Sequence, residues 1–156
     1  VKAGTRNADL VQNIDFAATF LDMAKAPIPN NMQGESLVPL MKGTTPSDWR
    51  ESLYYRYYQY PSTHSVRRHE GVSTKRYKLI RFYGQDVPNG EEWELYDLEK
   101  DPHEMKSEFN NPEYTSIIGR MKAELSELKA QYKVPVDNFD LSKQLLPNQI
   151  APTKKK

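Results

Sequence analysis

Arg67, Arg68 and His69, consecutive in "VRRHEG", are the residues of this sequence whose types best suit them to holding a polar or anionic ligand. A guanidinium is a planar fork of donors that matches the paired oxygens of an oxyanion, and an imidazole gives or takes a single hydrogen bond near neutral pH. The three stand within residues 64–82, which also hold Lys75, Arg76, Lys78 and Arg81 with Glu70 as the sole acid. The acidic segment 91–104 carries Glu91, Glu92, Glu94, Asp97, Glu99, Asp101 and Glu104. The plainer reading of the basic run as a whole is therefore a solvated sheet face paired with those acids. "VRRHEG" is the sharper proposal, because it is expected in a connection between strands, where side chains reach toward a neighbouring cleft.

Other chemistry-bearing residues are fewer. There is no cysteine, which excludes disulfides, thiolate metal sites and cysteine nucleophiles within this chain, and three histidines make a His-rich metal centre unexpected. His64 reads as a loop residue. Tyr60 offers a flat ring, but with ten tyrosines packing is the default. The Arg56 stem is expected to cover Trp93 or Tyr77. In "YDLEKDPHE", Asp97 and Asp101 suit tight turns, Pro102 fixes the chain and Glu104 starts the next segment. A metal would require three or more converging oxygens, which this spacing does not supply, and His103 receives no catalytic role.

The elements that must position these residues follow from periodicity. The spacing over 12–26 predicts a helix capped by Asn13 or Asp15, with Ile14, Ala17, Phe20, Leu21 and Ala24 on one face, ended by Pro27 and Pro29. A short helix or turn is expected between Gly34 and Gly43. From Trp49 the pattern alternates: "ESLYYRYYQYP", "RYKLIRFYG" and "EWELYDL" read as strands, with "GVST" opening a hairpin at Lys75 and Arg76. Short connections favour an antiparallel sheet of three or four strands. Tyr114, Ile118, Met121, Leu125, Leu128 and Tyr132 then follow at spacings of 4, 3, 4, 3 and 4, the seam of one helix over 113–132 that covers the sheet. Residues 134–156 are expected to form a wrapping arm or loose tail.

The chain has 156 residues, a hydrophobic fraction of 37% and a formal net charge of +1. That size supports one sizeable core, and the balanced charge argues against a dedicated nucleic-acid binder. No apolar run approaches the roughly 18 residues of a spanning helix, and the opening "VKAGTRNADL" has no signal-like apolar region. The fold class is α+β. The helix at 12–26 has no sheet of its own to cover, which suggests that it borders a larger layer supplied elsewhere.

Residues 5–43, with "LVQNIDFAATFLDMA" and "MQGESLVPLMKG", resemble the end of the large N-terminal domain of the sulfatases. Residues 49–109, with "WRESLYYRYYQYP", "HSVRRHEGVSTKRYKLIRFY" and "WELYDLEKDPHEMKSEFNNPEY", resemble their smaller C-terminal subdomain. The likeness, which covers about nine tenths of the chain, is to the alkaline-phosphatase-like superfamily and within it to bacterial N-acetylglucosamine-6-sulfatase-like and heparan-type enzymes. It implies three parts: 1–48, a helical remnant of the large α/β catalytic domain; 49–133, the C-terminal subdomain; and 134–156, the arm or tail.

By that resemblance, the parent is a periplasmic or secreted sulfuric ester hydrolase acting on sulfated sugars such as glycosaminoglycans. It uses calcium and a formylglycine made from a Cys/Ser-x-Pro-x-Arg segment. This chain contains no such segment, so the resemblance implies no catalytic residue and no metal site here, and no activity from the isolated piece. It implies that His69 orients a sugar hydroxyl or N-acetyl group, while Arg67 or Arg68 contacts an anionic substituent. The implied partners are the missing N-terminal domain and the sulfated sugar, without nucleic acid or membrane; self-association through 12–26 is the other way to cover that helix. The different-class alternative is a non-catalytic carbohydrate- or polyanion-binding module. Two positions depart from the family pattern: Ala18 stands where proline is usual, and Arg56 where many close members carry histidine.

Overall fold

Alternating aliphatic and aromatic residues between Ser52 and Asp97 build a four-stranded antiparallel sheet, in the order β1 (Ser52–Tyr57), β2 (His69–Thr74), β3 (Tyr77–Tyr83) and β4 (Glu91–Asp97). The computed structural model describes residues 1, 3–60, 65–84 and 87–135. The expectations for His64 and for most of the 134–156 arm fall outside them. The chain divides into two compact units, Val1–Leu53 and Tyr54 onward.

In the second unit, β2 and β3 form a hairpin through Lys75 and Arg76, with Val72 opposite Leu79 and Gly71 opposite Ile80. β3 pairs with β4 so that Leu79 faces Leu95 and Arg81 faces Trp93. The turn before β4 runs through Asn89 and Gly90 at φ of 56° and 80°, as the Pro-Asn-Gly sequence suggests. A 3-10 turn at Pro112–Tyr114 leads into α3 (Thr115–Gln131).

The seam lands where its spacing places it. Tyr114, Met121, Leu125 and Leu128 are buried against Val72, Leu79 and Leu95, with Ile118 and Tyr132 packed at the margin. Trp93 stacks on Phe109 with centroids 6.1 Å apart, and Lys122 of α3 sits 4.2 Å from the indole centroid. One helix thus closes one face of the sheet.

The first unit departs from its sequence reading. Its helix, α1, is shorter, Asp15–Met23. No side chain caps it in the usual manner; the Asp15 carboxylate instead reaches back to accept the Gln12 backbone N–H at 2.7 Å. The end is set before Pro27: Lys25 takes φ 55°, its N–H bonds the Asp22 carbonyl and the Ala26 N–H bonds the Leu21 carbonyl, a Schellman closure.

The inward face of α1 is polar, and its apolar residues lie outward. Asp15, Ala18 and Thr19 are buried, whereas Ile14, Phe16 and Phe20 are 43%, 54% and 67% exposed. The reason is polar: Asp15 takes N–H bonds from Gln12 and Glu35, and the Thr19 hydroxyl accepts the Leu37 N–H at 2.9 Å. Gly34 permits the close approach, since a β-carbon there would lie 2.1 Å from the Ile14 carbonyl oxygen. Leu37 and Leu40, around the short α2 (Val38–Met41), are buried beside this arrangement.

Candidate functional site

The two-residue period of β2 divides its side chains between two faces. Glu70 points to the α3 side, where its buried carboxylate takes hydrogen bonds from Arg81 (3.0 Å), Lys129 (2.7 Å) and the Tyr54 hydroxyl (3.3 Å). His69 points the other way. It is the first residue of β2 rather than part of the preceding connection, so the expectation of a loop histidine is corrected: backbone pairing with Phe82 draws it into the sheet.

There His69 lies within an aromatic cluster. Its ring stacks on Tyr57 with centroids 5.7 Å apart and planes 17° apart, meets Tyr55 edge-on at 6.0 Å, and lies 5.5 Å from Phe82. Nδ1 is 2.8 Å from the Arg67 carbonyl oxygen. Tyr55 crosses β2 at Gly71, where a β-carbon would lie 2.5 Å from the phenol oxygen. Burial, then the charges of Glu104 and Glu94, push the Tyr55 phenol pKa upward. The Tyr55 and Tyr57 hydroxyl oxygens are buried without a hydrogen-bond partner among the described residues.

Arg67 joins His69 on this face. Its guanidinium lies 4.5 Å from the Phe82 centroid and donates to Glu92 at 2.6 Å, with the Arg67 side chain 39% exposed. Arg68 is not brought to it. That side chain is buried, with Nε donating to the Tyr58 carbonyl and Nη2 to the Tyr60 carbonyl, both at 3.1 Å. It holds the chain leaving β1 beside the entry to β2. Arg56 does not cover Trp93 or Tyr77; its Nε donates to the Tyr83 hydroxyl at 3.1 Å.

Three more cations of the basic run are paired. Arg76 meets Asp97 and Glu99, Lys78 meets Glu104, and Arg81 bridges Glu70 and Glu91. Asp97 is buried; the hydrogen bonds from Arg76, opposed by burial and aided by the Tyr114 hydroxyl, hold its carboxyl below the usual range. The "YDLEKDPHE" segment is a turn: Asp97 accepts the Glu99 N–H and Asp101 the Lys106 N–H. Glu104 does not begin a helix or strand but sits at φ 55°, paired with Lys78. Among the described residues no group of three or more His, Asp or Glu side chains could hold a metal ion, so the residues present do not fit a calcium cage.

The sequence reading missed Tyr55, Tyr57 and Phe82 as companions of His69. The signal was available in the alternation of Tyr55 and Tyr57 along "ESLYYRYYQYP", but the partner strand that brings His69 against them was not.

This sheet and helix are those of the sulfatase C-terminal region. A solved structure described as in complex with its substrate D-glucosamine-2-N,6-O-disulfate superposes with a TM-score of 0.71 at 45% identity, over 76% of this chain and 24% of that one. Residues 1–131 match the family described as N-sulphoglucosamine sulphohydrolase, C-terminal, and the chain belongs to that family. The N-acetylglucosamine-6-O-sulfatase of Bacteroides thetaiotaomicron is 44% identical over 135 residues, covering 85% of this chain and 24% of that protein. The Delta 4,5-hexuronate-2-O-sulfatase of the same organism is 30% identical over 117 residues, covering 73% and 22%. The chain therefore spans about a quarter of the length of these relatives.

Proposed function

We propose that this chain is the C-terminal part of a sulfuric ester hydrolase acting on sulfated sugars, of the N-acetylglucosamine-6-sulfatase type, and that it supplies a wall of the sugar pocket. The observation that carries this reading is the 44% identity to an N-acetylglucosamine-6-O-sulfatase across 85% of the chain. Residues 1–48 are then the end of the catalytic domain and 49–133 its C-terminal subdomain, in a periplasmic or secreted parent.

His69 would orient a hydroxyl or N-acetyl group, and Arg67 would exchange Glu92 for an anionic substituent. Arg68 serves this face indirectly, by fixing the backbone that presents them. Calcium and formylglycine chemistry falls to the remainder of the parent, since the chain has no Cys/Ser-x-Pro-x-Arg segment. The polyanion-module alternative loses most of its support, because Arg76, Lys78 and Arg81 already hold carboxylates.

The test is kinetic. The full-length protein should release sulfate from N-acetylglucosamine 6-sulfate, and the isolated 156-residue chain should not. His69→Ala should lower kcat/KM for that sugar by roughly 5- to 150-fold, the equivalent of about 1–3 kcal/mol, with a smaller effect on a minimal aryl sulfate. Equal losses on both substrates would remove His69 from sugar contact.

A further inference from the structure

We propose that Glu92 is a specificity determinant: by occupying Arg67, it sets how readily this face takes a sugar that carries a second anionic group beside the ester to be hydrolysed. This rests on the reading that the face lines a sugar pocket, and it adds a positioning residue that acts through Arg67 without touching the sugar.

Sheet register creates the arrangement. His69 stands opposite Phe82 and Phe82 opposite Glu92, so the three form one row across β2, β3 and β4 and project from the same face. Arg67 reaches across that row. Its guanidinium lies 4.5 Å from the Phe82 centroid, and its Nη1 donates to Glu92 at 2.6 Å. The carboxylate thus holds the place that an anionic substituent would take on the same fork of donors.

Arg67 is the cation of the basic run best able to change partners. Arg76 and Arg81 each hold a buried carboxylate, Asp97 at 2% and Glu70 at 4% exposure, and turning away would strand that charge. Lys78 meets both oxygens of Glu104, at 3.0 and 2.7 Å. Arg67 and Glu92 share a single hydrogen bond with their side chains 39% and 40% exposed, so water resolvates Glu92 once the guanidinium turns away. The Phe82 ring keeps the cation over the row in either state, since an aromatic face attracts it without using its N–H donors. The exchange still has a threshold: an incoming anion must break the pair and then sit beside a carboxylate of like charge.

A double-mutant cycle in the full-length enzyme tests this, with N-acetylglucosamine 6-sulfate as the singly charged sugar and glucosamine 2-N,6-O-disulfate and N-acetylglucosamine 3,6-disulfate as the doubly charged ones. Glu92→Gln keeps the shape and removes the charge. It should raise kcat/KM on at least one disulfate relative to the monosulfate by roughly 3- to 5-fold, through KM and not kcat. Arg67→Ala should lower the same ratio, and in that background Glu92→Gln should add little. Added salt should narrow the gap between the wild type and Glu92→Gln. Unchanged ratios on both disulfates, the same gain without Arg67, or a fall in kcat on all three sugars would overturn the role of Glu92 and leave the pocket reading standing. Absence of sulfate release from every one of these sugars by the wild-type protein would overturn the pocket reading itself.

Discussion

Asp15 and Arg50, 35 positions apart in the chain, form a two-pronged ion pair with contacts of 2.6 and 2.8 Å. The carboxylate side chain is fully buried and the guanidinium 11% exposed. Arg50 also lies 5.0 Å from the Trp49 ring, whose N–H donates to the Leu10 carbonyl at 3.0 Å. This pair ties the start of α1 to the segment before the sheet, and it explains why the polar side of the helix turns inward.

Removing one member should leave a buried charge unpaired. Arg50→Met is expected to destabilise the first unit by about 3–5 kcal/mol, read by urea unfolding followed through Trp49 fluorescence. A loss under about 1 kcal/mol would mean that water solvates Asp15 once Arg50 is gone.

The pair also sets an acid limit. Burial works to raise the Asp15 pKa, but the bonds from Arg50 and from the Gln12 and Glu35 N–H groups outweigh it and hold the carboxyl below the usual range. The unfolded chain therefore takes up this proton first as pH falls. Its contribution is full above the unfolded value, roughly pH 4, and disappears as pH drops through the lower folded value. Asp97 is lowered as well and adds in the same direction. Unfolding free energy measured from neutral pH downward should fall in this window, and Asp15→Asn should flatten that fall.

Leu125, 4% exposed in the seam of α3, should cost about 2–5 kcal/mol as Leu125→Ala. Ile118→Ala, at the margin of the same core, should cost less. Equal values in thermal or urea unfolding would mean that the helix is not seated as described.

Two glycines should respond with opposite signs. A β-carbon at Gly71 would meet the Leu79 carbonyl oxygen at 2.6 Å as well as Tyr55, so Gly71→Ala should destabilise the sheet by about 1–3 kcal/mol. Gly119 is exposed on α3 with nothing within 4 Å of that position. Gly119→Ala should stabilise by up to about 1 kcal/mol through helix propensity. Calorimetry on the two variants distinguishes these outcomes.

Arg67 and Arg68 should separate in the same measurements. Arg67 and Glu92 are both part-exposed, so Arg67→Ala should change stability by less than about 1 kcal/mol while reducing kcat/KM on an anionic sugar. Arg68→Ala removes the side-chain donor shared by the Tyr58 and Tyr60 carbonyls and should act chiefly on stability, by about 1–3 kcal/mol.

The local periods were readable without coordinates because they depend on neighbours. The run from Tyr114 to Tyr132 needs only the 3.6-residue turn to become a seam, and β3 and β4 need only a two-residue alternation between turn residues. The Lys75–Arg76 hairpin turn, the Pro-Asn-Gly turn and the reading of Asp97 as a turn residue follow from the same short-range chemistry. So does the resemblance carried by the ordered motifs, which places the chain in its family.

What only the tertiary structure decided is which groups meet across long separations. Ile14 and Phe20 mark an apolar stripe on α1, yet Arg50 and the Glu35 N–H draw Asp15 inward and the Leu37 N–H draws Thr19, and no helical period contains that information. The basic run looks available until β3 and β4 align Arg81 and Lys78 with their carboxylates. Arg67, Arg68 and His69 are equivalent as a string of letters. Strand pairing with Phe82 sends His69 onto Tyr57, the Tyr58 and Tyr60 carbonyls take Arg68 inward, and Arg67 stays part-exposed, because a sheet register fixes every side chain's face once its partners are chosen.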